Sequence, residues 1–215
     1  QAGLEPRGRP GEGARRRAHR LSRGAPPVVG AMQRPPSDGK PVFVYGSLMW
    51  PSVLNSLLGR TPRSRPALLR GFRRWRVRGE RFPAIYDGDL PGGGGAEEGE
   101  APVIRGLVLD DLLPEEAAIF DEFEDDEYDK RPVRPQLVEG CPEDPLEWVR
   151  TPAGPSEAAA AGEAVEALAY VWTEGSSLED VAWVPERDFE PYEGEYVAMC
   201  DSFVEEELPE ALRSW

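Results

Sequence analysis

An acidic stretch in the middle of the chain, running from Asp121 to Tyr128, contains the side-chain type best suited to proton transfer. A run of charged residues usually forms a solvated face. Helical spacing is therefore needed to distinguish a buried member of this stretch from the exposed ones. Glu124 follows Phe120 by four residues, which places both on one helix face, whereas Glu122 is rotated away. A carboxylate that points toward apolar side chains has a raised pKa, as a general base near neutral pH requires. The spacing therefore favours Glu124 as a buried acid/base.

The second candidate is the motif Tyr45-Gly46-Ser47-Leu48, where a predicted strand turns into a predicted helix. A tight turn of this kind exposes consecutive backbone N–H groups beside the positive end of a helix, where they can hold a carboxylate or an oxyanion. Gly46 would let the backbone approach a ligand closely. An ordinary strand-to-helix turn explains the same residues equally well, so the motif alone leaves both interpretations open.

The scarcity of other reactive side chains excludes several classes of mechanism. The single histidine, His19, lies in an arginine-rich N-terminal segment, so the rest of the chain cannot use a Ser-His-Asp or Cys-His mechanism. Cys141 and Cys200 form neither a disulfide framework nor a zinc-type cluster. We therefore expect no metal and no cofactor, and this cysteine usage indicates a reducing, cytoplasmic compartment.

Short runs of β-branched and aromatic residues predict the strands that position these candidates. Pro83 favours a strand start or a sheet edge, and Gly106 indicates the close approach of another backbone. The predicted strands are Val42 to Tyr45, Ala67 to Leu69, Phe72 to Val77, Phe82 to Tyr86, Val103 to Leu109, Val133 to Val138 and, as the last clear strand, Ala167 to Trp172.

Three helices are predicted between and after these strands. They span Met49 to Leu58, Pro114 to Glu124, and a C-terminal amphipathic segment in which Tyr192, Tyr196, Met199 and Phe203 recur at helical spacing. Residues 88–101 and 140–163 are predicted to be flexible loops. Many short strands without βαβ alternation indicate an α+β fold, a small mixed β-barrel flanked by helices, rather than a Rossmann fold.

The first 40 residues and the rest of the chain differ sharply in charge. Residues 1–40 carry nine basic and three acidic residues, a formal sum of +6, which leaves −21 for the rest of a chain with a net charge of −15. We expect a disordered tail over 1–40, one domain over 41–208 and a short tail over 209–215. Met32 is a candidate initiator, and an organelle transit peptide is the alternative interpretation of the tail.

A domain with this much negative charge should not bind nucleic acid. No run of residues is apolar enough to span a membrane.

Six motifs in one order resemble the gamma-glutamylcyclotransferase superfamily, especially its plant AIG2-like branch. The similarity runs from about residue 41 to 205, and each motif is weak when it stands alone. The matching segments are Val42 to Leu48 for the opening strand and substrate loop, Gly71 to Arg74, Phe82 to Ile85, Ile104 to Val108, Phe120 to Glu124 followed by Tyr128, and Ala167 to Trp172.

This resemblance implies a small mixed β-barrel, an enzyme without cofactor, and a small-molecule gamma-glutamyl substrate that closes on itself to release 5-oxoproline. It implies that Glu124 is the catalytic acid/base and that a monomer suffices. The residues implied to bind substrate are Tyr45, Gly46, Ser47, Leu48, Met49, Trp50 and Tyr128. For Tyr128, packing against the barrel is an equally good interpretation.

The chain departs from the family pattern at two places, and three other functions are compatible with the sequence. Asp125 replaces the usual glycine after the glutamate, and residues 140–163 form a long insertion. One rival is a non-catalytic member that binds a small ligand or a partner. The others are transfer of a gamma-glutamyl group to another amine and a regulatory role of the acidic surface. The sequence does not reveal the leaving group of the reaction.

Overall fold

The β-strands form two separate sheets in the computed structural model, which describes residues 39–87, 101–139, 144–150 and 162–213. The strands of this part of the chain are β1 (Val42–Val44), β2 (Ser64–Arg70), β3 (Arg74–Val77), β4 (Pro83–Ile85), β5 (Val103–Leu109), β6 (Tyr128–Val133), β7 (Gln136–Leu137), β8 (Ala167–Trp172) and β9 (Leu178–Ala182).

The larger sheet has six strands in the order β6-β8-β1-β5-β2-β7, and the smaller has three in the order β4-β3-β9. Strands β1 and β8 run parallel, while the other pairs are antiparallel, so the expected mixed α+β fold is confirmed. The sheet is not closed into the expected barrel. Over the described ranges, β6 and β7 end the six-stranded sheet without pairing with each other. The backbone groups of β3 pair with β4 and β9 instead of closing the larger sheet.

Short helices surround the sheets, and four of them begin at a proline. Proline suits a first helical position because the missing N–H has no intrahelical acceptor there. The described helices are α1 (Pro51–Leu58), α2 (Pro114–Glu124), α3 (Pro145–Arg150), α4 (Pro185–Asp188), α5 (Glu193–Ser202) and α6 (Glu210–Arg213), and α5 continues into a π-helical turn, Phe203–Glu207. None of these helices is both long enough and apolar enough to cross a membrane.

Apolar side chains cover both faces of the larger sheet because residues alternate between faces along a strand. Phe43 and Val108 lie in one cluster of buried residues, and Val42 and Leu107 lie in the other, which includes residues of α1 and α2. Gly106 is required between them, since a Cβ there would lie 2.5 Å from the Phe43 ring and from the Val44 carbonyl oxygen. The expected close approach at Gly106 is therefore confirmed.

The predicted strand over Val133 to Val138 is wrong, because Val133 ends β6 and β7 contains only Gln136 and Leu137. Two further strands, β6 and β9, escaped prediction. Charged residues fill the middle of β6, and Leu178 is the one buried residue of β9, so the apolar pattern is weak in both. Pro83 does begin β4, at an edge of the smaller sheet, as expected.

The structure describes only parts of the predicted tail and loops. Most of 88–101 and residues 1–38 lie outside the described residues. Within the segment 140–163, which we expected to be loop, Pro145–Arg150 form helix α3. This helix buries Trp148 and Val149 against β2 and β5.

The start of α2 is fixed by a partly buried ion pair between Arg60 and Glu116. Glu116 is fully buried, and its carboxylate accepts hydrogen bonds from Arg60 Nε at 2.5 Å and Arg60 Nη2 at 2.6 Å. The backbone N–H of Leu113 donates to the same carboxylate at 2.8 Å. These contacts hold α2 beside the end of α1, and so determine where its other end, at Glu124, lies.

Candidate active site

The Tyr45-to-Trp50 segment forms a short 3₁₀ turn between β1 and α1. The N–H of Met49 donates to the Gly46 carbonyl at 2.9 Å, and the N–H of Trp50 donates to the Ser47 carbonyl at 3.1 Å. A helical turn leaves its first N–H groups without intrahelical acceptors. In this turn those groups belong to Ser47 and Leu48.

Gly46 lies against the ring of Pro83, so two motifs far apart in sequence meet at the turn. A Cβ at position 46 would lie 2.8 Å from both Cγ and Cδ of Pro83. The Gly46 φ of −127° is outside the left-handed region. Steric contact, and not a positive φ, is therefore the reason for glycine here.

Glu124 is the last residue of α2 and is half-buried, not buried as the spacing predicted. Phe120, one turn earlier, is fully buried, which confirms that this helix face packs inward. The negative charge of Glu124 acts on the phenols of Tyr45 and Tyr128 and contributes to raising the pKa of each. Glu124 thus lies within electrostatic reach of both tyrosines of the predicted site.

Both phenols are buried and hydrogen-bonded. The Tyr45 hydroxyl donates to the Tyr170 carbonyl at 2.5 Å, and the Tyr128 hydroxyl donates to the Pro83 carbonyl at 3.0 Å. Burial is the main cause that raises the pKa of Tyr45 and Tyr128 well above the ordinary value. Both phenols therefore stay neutral at physiological pH.

The structure separates the other members of the acidic run from Glu124. Asp121 forms an ion pair with Lys130 at 2.5 Å and accepts a hydrogen bond from the Tyr170 hydroxyl at 2.8 Å. Glu122 is exposed to solvent, as the helical spacing predicted. Asp125 begins a 3₁₀ turn, Asp125–Glu127, a right-handed conformation that does not require the glycine usual at this position.

Tyr196, in α5, belongs to the same neighbourhood, and the sequence indicated it only as part of an amphipathic face. Its hydroxyl lies 3.0 Å from Ser47 Oγ, in hydrogen-bonding distance. Its ring also packs against Phe123, at 6.4 Å between ring centroids. Only the fold brings these residues together, because Ser47 and Tyr196 are 149 positions apart in the chain.

The side chains of the remaining candidates pack into the core. Leu48, Met49 and Trp50 are each exposed by 4% or less. The Trp50 ring packs against Phe189, with the centroids 4.4 Å apart. The side chains of these three residues thus anchor the turn in the core. In the part of the chain that the structure describes, no three His, Cys, Asp or Glu side chains are placed to hold a metal ion.

Known proteins resemble this chain in sequence. AIG2-like protein C of Arabidopsis thaliana is 31% identical over 175 residues, which cover 79% of this chain and 81% of that protein. AIG2-like protein D of the same plant is 35% identical over 102 residues, or 47% of this chain and 60% of that protein.

Solved structures also align with this chain. A solution structure of an Arabidopsis thaliana protein aligns with a TM-score of 0.46 at 23% identity, over 80% of this chain and 95% of that chain. The crystal structure of an AIG2-like protein from Mus musculus aligns with a TM-score of 0.37 at 18% identity, over 63% of this chain and 78% of that chain.

A family profile matches most of the described core. The family described as "Gamma-glutamyl cyclotransferase, AIG2-like" matches residues 42–191, a range that contains Glu124 and the turn after β1. This chain therefore belongs to the AIG2-like gamma-glutamyl cyclotransferase family.

Proposed function

We propose that this protein is a gamma-glutamylcyclotransferase in which Glu124 transfers protons while a gamma-glutamyl substrate closes to 5-oxoproline. The observation that supports this proposal is the position of Glu124. It lies at the end of α2, and its charge acts on Tyr45, the residue that leads into the turn at Gly46. A carboxylate in such a place can exchange protons with a substrate held at the turn.

The proposed reaction takes place within one substrate molecule. The α-amine attacks the γ-carbonyl carbon, a C–N bond of the five-membered lactam forms, and the C–N bond to the leaving amine breaks. Glu124 accepts the proton that the attacking amine loses and donates it to the departing amine. Holding the substrate in a folded conformation supplies much of the acceleration, because no second reactant has to be brought in.

The turn after β1 is proposed to stabilise the charge that develops on the γ-carbonyl oxygen. The N–H groups of Ser47 and Leu48 are the donors of the turn without intrahelical acceptors. Donors fixed before the reaction stabilise an oxyanion without reorganisation. Tyr45 and Tyr128 would form the neutral wall of the site, and the buried side chains of the turn would keep its donors in place.

The decisive experiment measures 5-oxoproline release by the Glu124→Gln variant. Glutamine keeps the shape of the side chain and removes the proton carrier, so turnover should fall by at least about 10²-fold with little change in substrate affinity. The matched control is Glu122→Gln, which removes the same charge at an exposed position of the same helix and should keep normal turnover. If Glu122→Gln loses activity and Glu124→Gln does not, the wrong carboxylate has been assigned.

The leaving group is best identified with a panel of gamma-glutamyl compounds. A gamma-glutamyl amino acid, a gamma-glutamyl isopeptide of lysine and glutathione differ only in the amine that departs. We expect release of 5-oxoproline from at least one of them. Binding by calorimetry without any release would instead establish the non-catalytic alternative.

A further inference from the structure

A cavity of about 460 Å³ lies between β3, β5 and β9. We call it the arginine cavity, since Arg73, Arg74, Arg105 and Arg150 line it together with Trp75 and Trp183. The candidate site residues Glu124, Tyr128 and Tyr45 to Trp50 do not line it. Nothing in the proposed ring closure uses this cavity.

The charge of the arginine cavity is opposite to that of the chain. Its lining contains four arginines and one aspartate, Asp180, a formal sum of +3, in a protein whose net charge is −15. Asp180 is exposed to solvent. A concave, positively charged surface on an otherwise acidic protein concentrates anions locally.

Arg74 makes only weak polar contacts within the protein. Its guanidinium Nη1 lies 3.4 Å from the Tyr45 carbonyl oxygen, a long and weak hydrogen bond. It also stacks on Trp183, at 5.4 Å from the ring centroid. Among the described residues, no carboxylate lies within ion-pair distance of Arg74.

Other arginines of the protein show the contrast. Arg60, Arg65 and Arg131 each contact a carboxylate oxygen at 2.6 Å or closer. Burial lowers the pKa of Arg74 to about 10, and the positive charge of Arg105 also lowers it, while Glu186 acts in the opposite direction. Arg74 is therefore still charged at neutral pH. An anion in the cavity would offset the cost of holding that charge away from water.

The neighbouring arginines are already held in place. Arg105 is buried, donates from Nη1 to the Trp148 carbonyl at 2.8 Å, and lies over the Trp148 ring at 3.9 Å. Arg150 donates to Glu190 at 2.7 Å, which partly balances its charge. Arg105 is thus a pre-positioned cation beside Arg74, and an incoming anion would not have to order it.

We propose that the arginine cavity binds a small organic anion that carries a carboxylate or phosphate group on a flat, apolar body. Guanidinium groups recognise both kinds of oxyanion through paired N–H donors. The rings of Trp75 and Trp183 supply an apolar wall for the body of the ligand. The volume lies within the range that small-molecule sites occupy in proteins.

The test is calorimetric titration of the full chain with two probes at constant ionic strength. Phthalate presents carboxylates on a flat ring, and phenyl phosphate presents a phosphate on the same ring. Their comparison therefore shows which of the two anionic groups the cavity prefers. Phthalamide, which has the same body without charge, should not bind. We expect at least one anionic probe to bind, and Arg74→Gln to weaken that binding by about tenfold or more.

Arg65→Gln is the matched control. It removes the same charge from β2, where Arg65 is paired with Asp110 at 2.5 Å and does not line the cavity. Its affinity for the probe should stay within about twofold of the unmodified protein. Equal weakening by Arg74→Gln and Arg65→Gln would show only a general effect of charge and would overturn the proposal.

NMR of the unmodified protein provides a second measurement that does not depend on the folding of a variant. The indole N–H signals of Trp75 and Trp183 should shift with probe concentration, while that of Trp172, in β8, should not. Absence of binding by both probes up to about 10 mM, or shifts at Trp172 alone, would refute the site. Because the readout is binding and not turnover, failure here leaves the proposed ring closure untouched.

Discussion

At the scale of single residues, Gly46 shows how one motif depends on another that is distant in sequence. The sequence explains glycine here by close access to a ligand. The structure gives another reason, since the Pro83 ring fills the space that a side chain would need. The two family motifs around positions 46 and 83 are therefore coupled by packing.

Gly46→Ala should destabilise the protein, because its Cβ would lie 2.8 Å from two Pro83 ring atoms. Overpacking of this kind costs about 1–3 kcal/mol in the free energy of unfolding, measurable by urea denaturation. Gly194→Ala is the control, since that glycine lies in α5 with no atom within 4 Å of the added Cβ. It should be neutral or stabilise the protein by up to about 1 kcal/mol.

A double variant tests whether the Pro83 ring is the cause. Pro83→Ala removes Cγ and Cδ, so combining it with Gly46→Ala should cost clearly less than the sum of the single variants. Strict additivity would mean that something other than the Pro83 ring excludes a side chain at position 46.

Asp188 provides a prediction on pH. Burial alone would raise the pKa of Asp188, but hydrogen bonds from Arg187 and the Val184 N–H, with the charges of Arg187 and Arg76, hold it below its ordinary value. A carboxyl whose pKa is lower when folded stabilises the protein above its unfolded pKa, near 3.9, and loses that contribution as the pH falls through the folded pKa.

Asp188→Asn should therefore lower the free energy of unfolding by about 1–3 kcal/mol at neutral pH. Urea denaturation of both proteins at a series of pH values should show this difference shrinking below about pH 4. Asp180→Asn, at an exposed position of β9, should have little effect at any pH. A difference between wild type and Asp188→Asn that stays constant down to about pH 2 would contradict the assignment.

At the scale of elements, a row of hydrogen bonds attaches α5 to α1 and to the candidate site. Ser47 pairs with Tyr196 at 3.0 Å, and Ser52 donates to Glu193 at 2.6 Å. Ser56 donates to Asp201 at 2.5 Å, one turn further along. The C-terminal helix is thus fixed to the turn that carries the proposed oxyanion donors.

Tyr196→Phe tests this attachment, since it removes the hydroxyl and keeps the ring packed on Phe189 and Phe123. It should cost about 1 kcal/mol in stability and should reduce 5-oxoproline release if the turn loses its alignment. Tyr192→Phe is the matched control, because Tyr192 interacts through its ring with Arg81, at 3.5 Å from the centroid. It should change stability by less than about 0.5 kcal/mol.

Elements with strong local signals were predictable from the sequence, and those defined by pairing were not. The helix Pro114–Glu124 and the strands Val103–Leu109 and Ala167–Trp172 have the predicted bounds, because proline or apolar runs mark them. Strands β6 and β9 are held by backbone pairing with β8 and β3, which composition does not encode. The two open sheets likewise follow from that pairing.

Part of the candidate site was likewise predictable from the sequence, and part was not. Helical spacing alone distinguished Glu124 from exposed Glu122, since a helix has a fixed period. It could not predict that Glu124 is only half-buried, because that depends on which residues of other elements cover the end of α2. Contacts across the fold, such as Ser47 with Tyr196, depend on the tertiary structure in the same way.

At the scale of the whole molecule, charge is unevenly divided along the chain. Residues 1–40 carry +6 and the remainder −21, so the net charge of −15 conceals a strongly acidic domain. Such a domain repels itself electrostatically, and salt should screen the repulsion. Pro41 is attached to the larger sheet, since its carbonyl accepts a hydrogen bond from the Leu168 N–H at 2.9 Å.

Deleting residues 1–40 should leave the melting temperature within a few degrees of the full chain, because the composition of this segment predicts no packed core. It should also leave 5-oxoproline release unchanged, since every residue assigned to the reaction follows Pro41. The charge of the remaining chain, −21, should make the truncated protein elute later from an anion exchanger. Both proteins should be compared at low and at moderate salt, where screening separates electrostatic from packing effects. A larger loss of stability that persists in salt would show that the segment packs on the domain and that the boundary at residue 41 is misplaced.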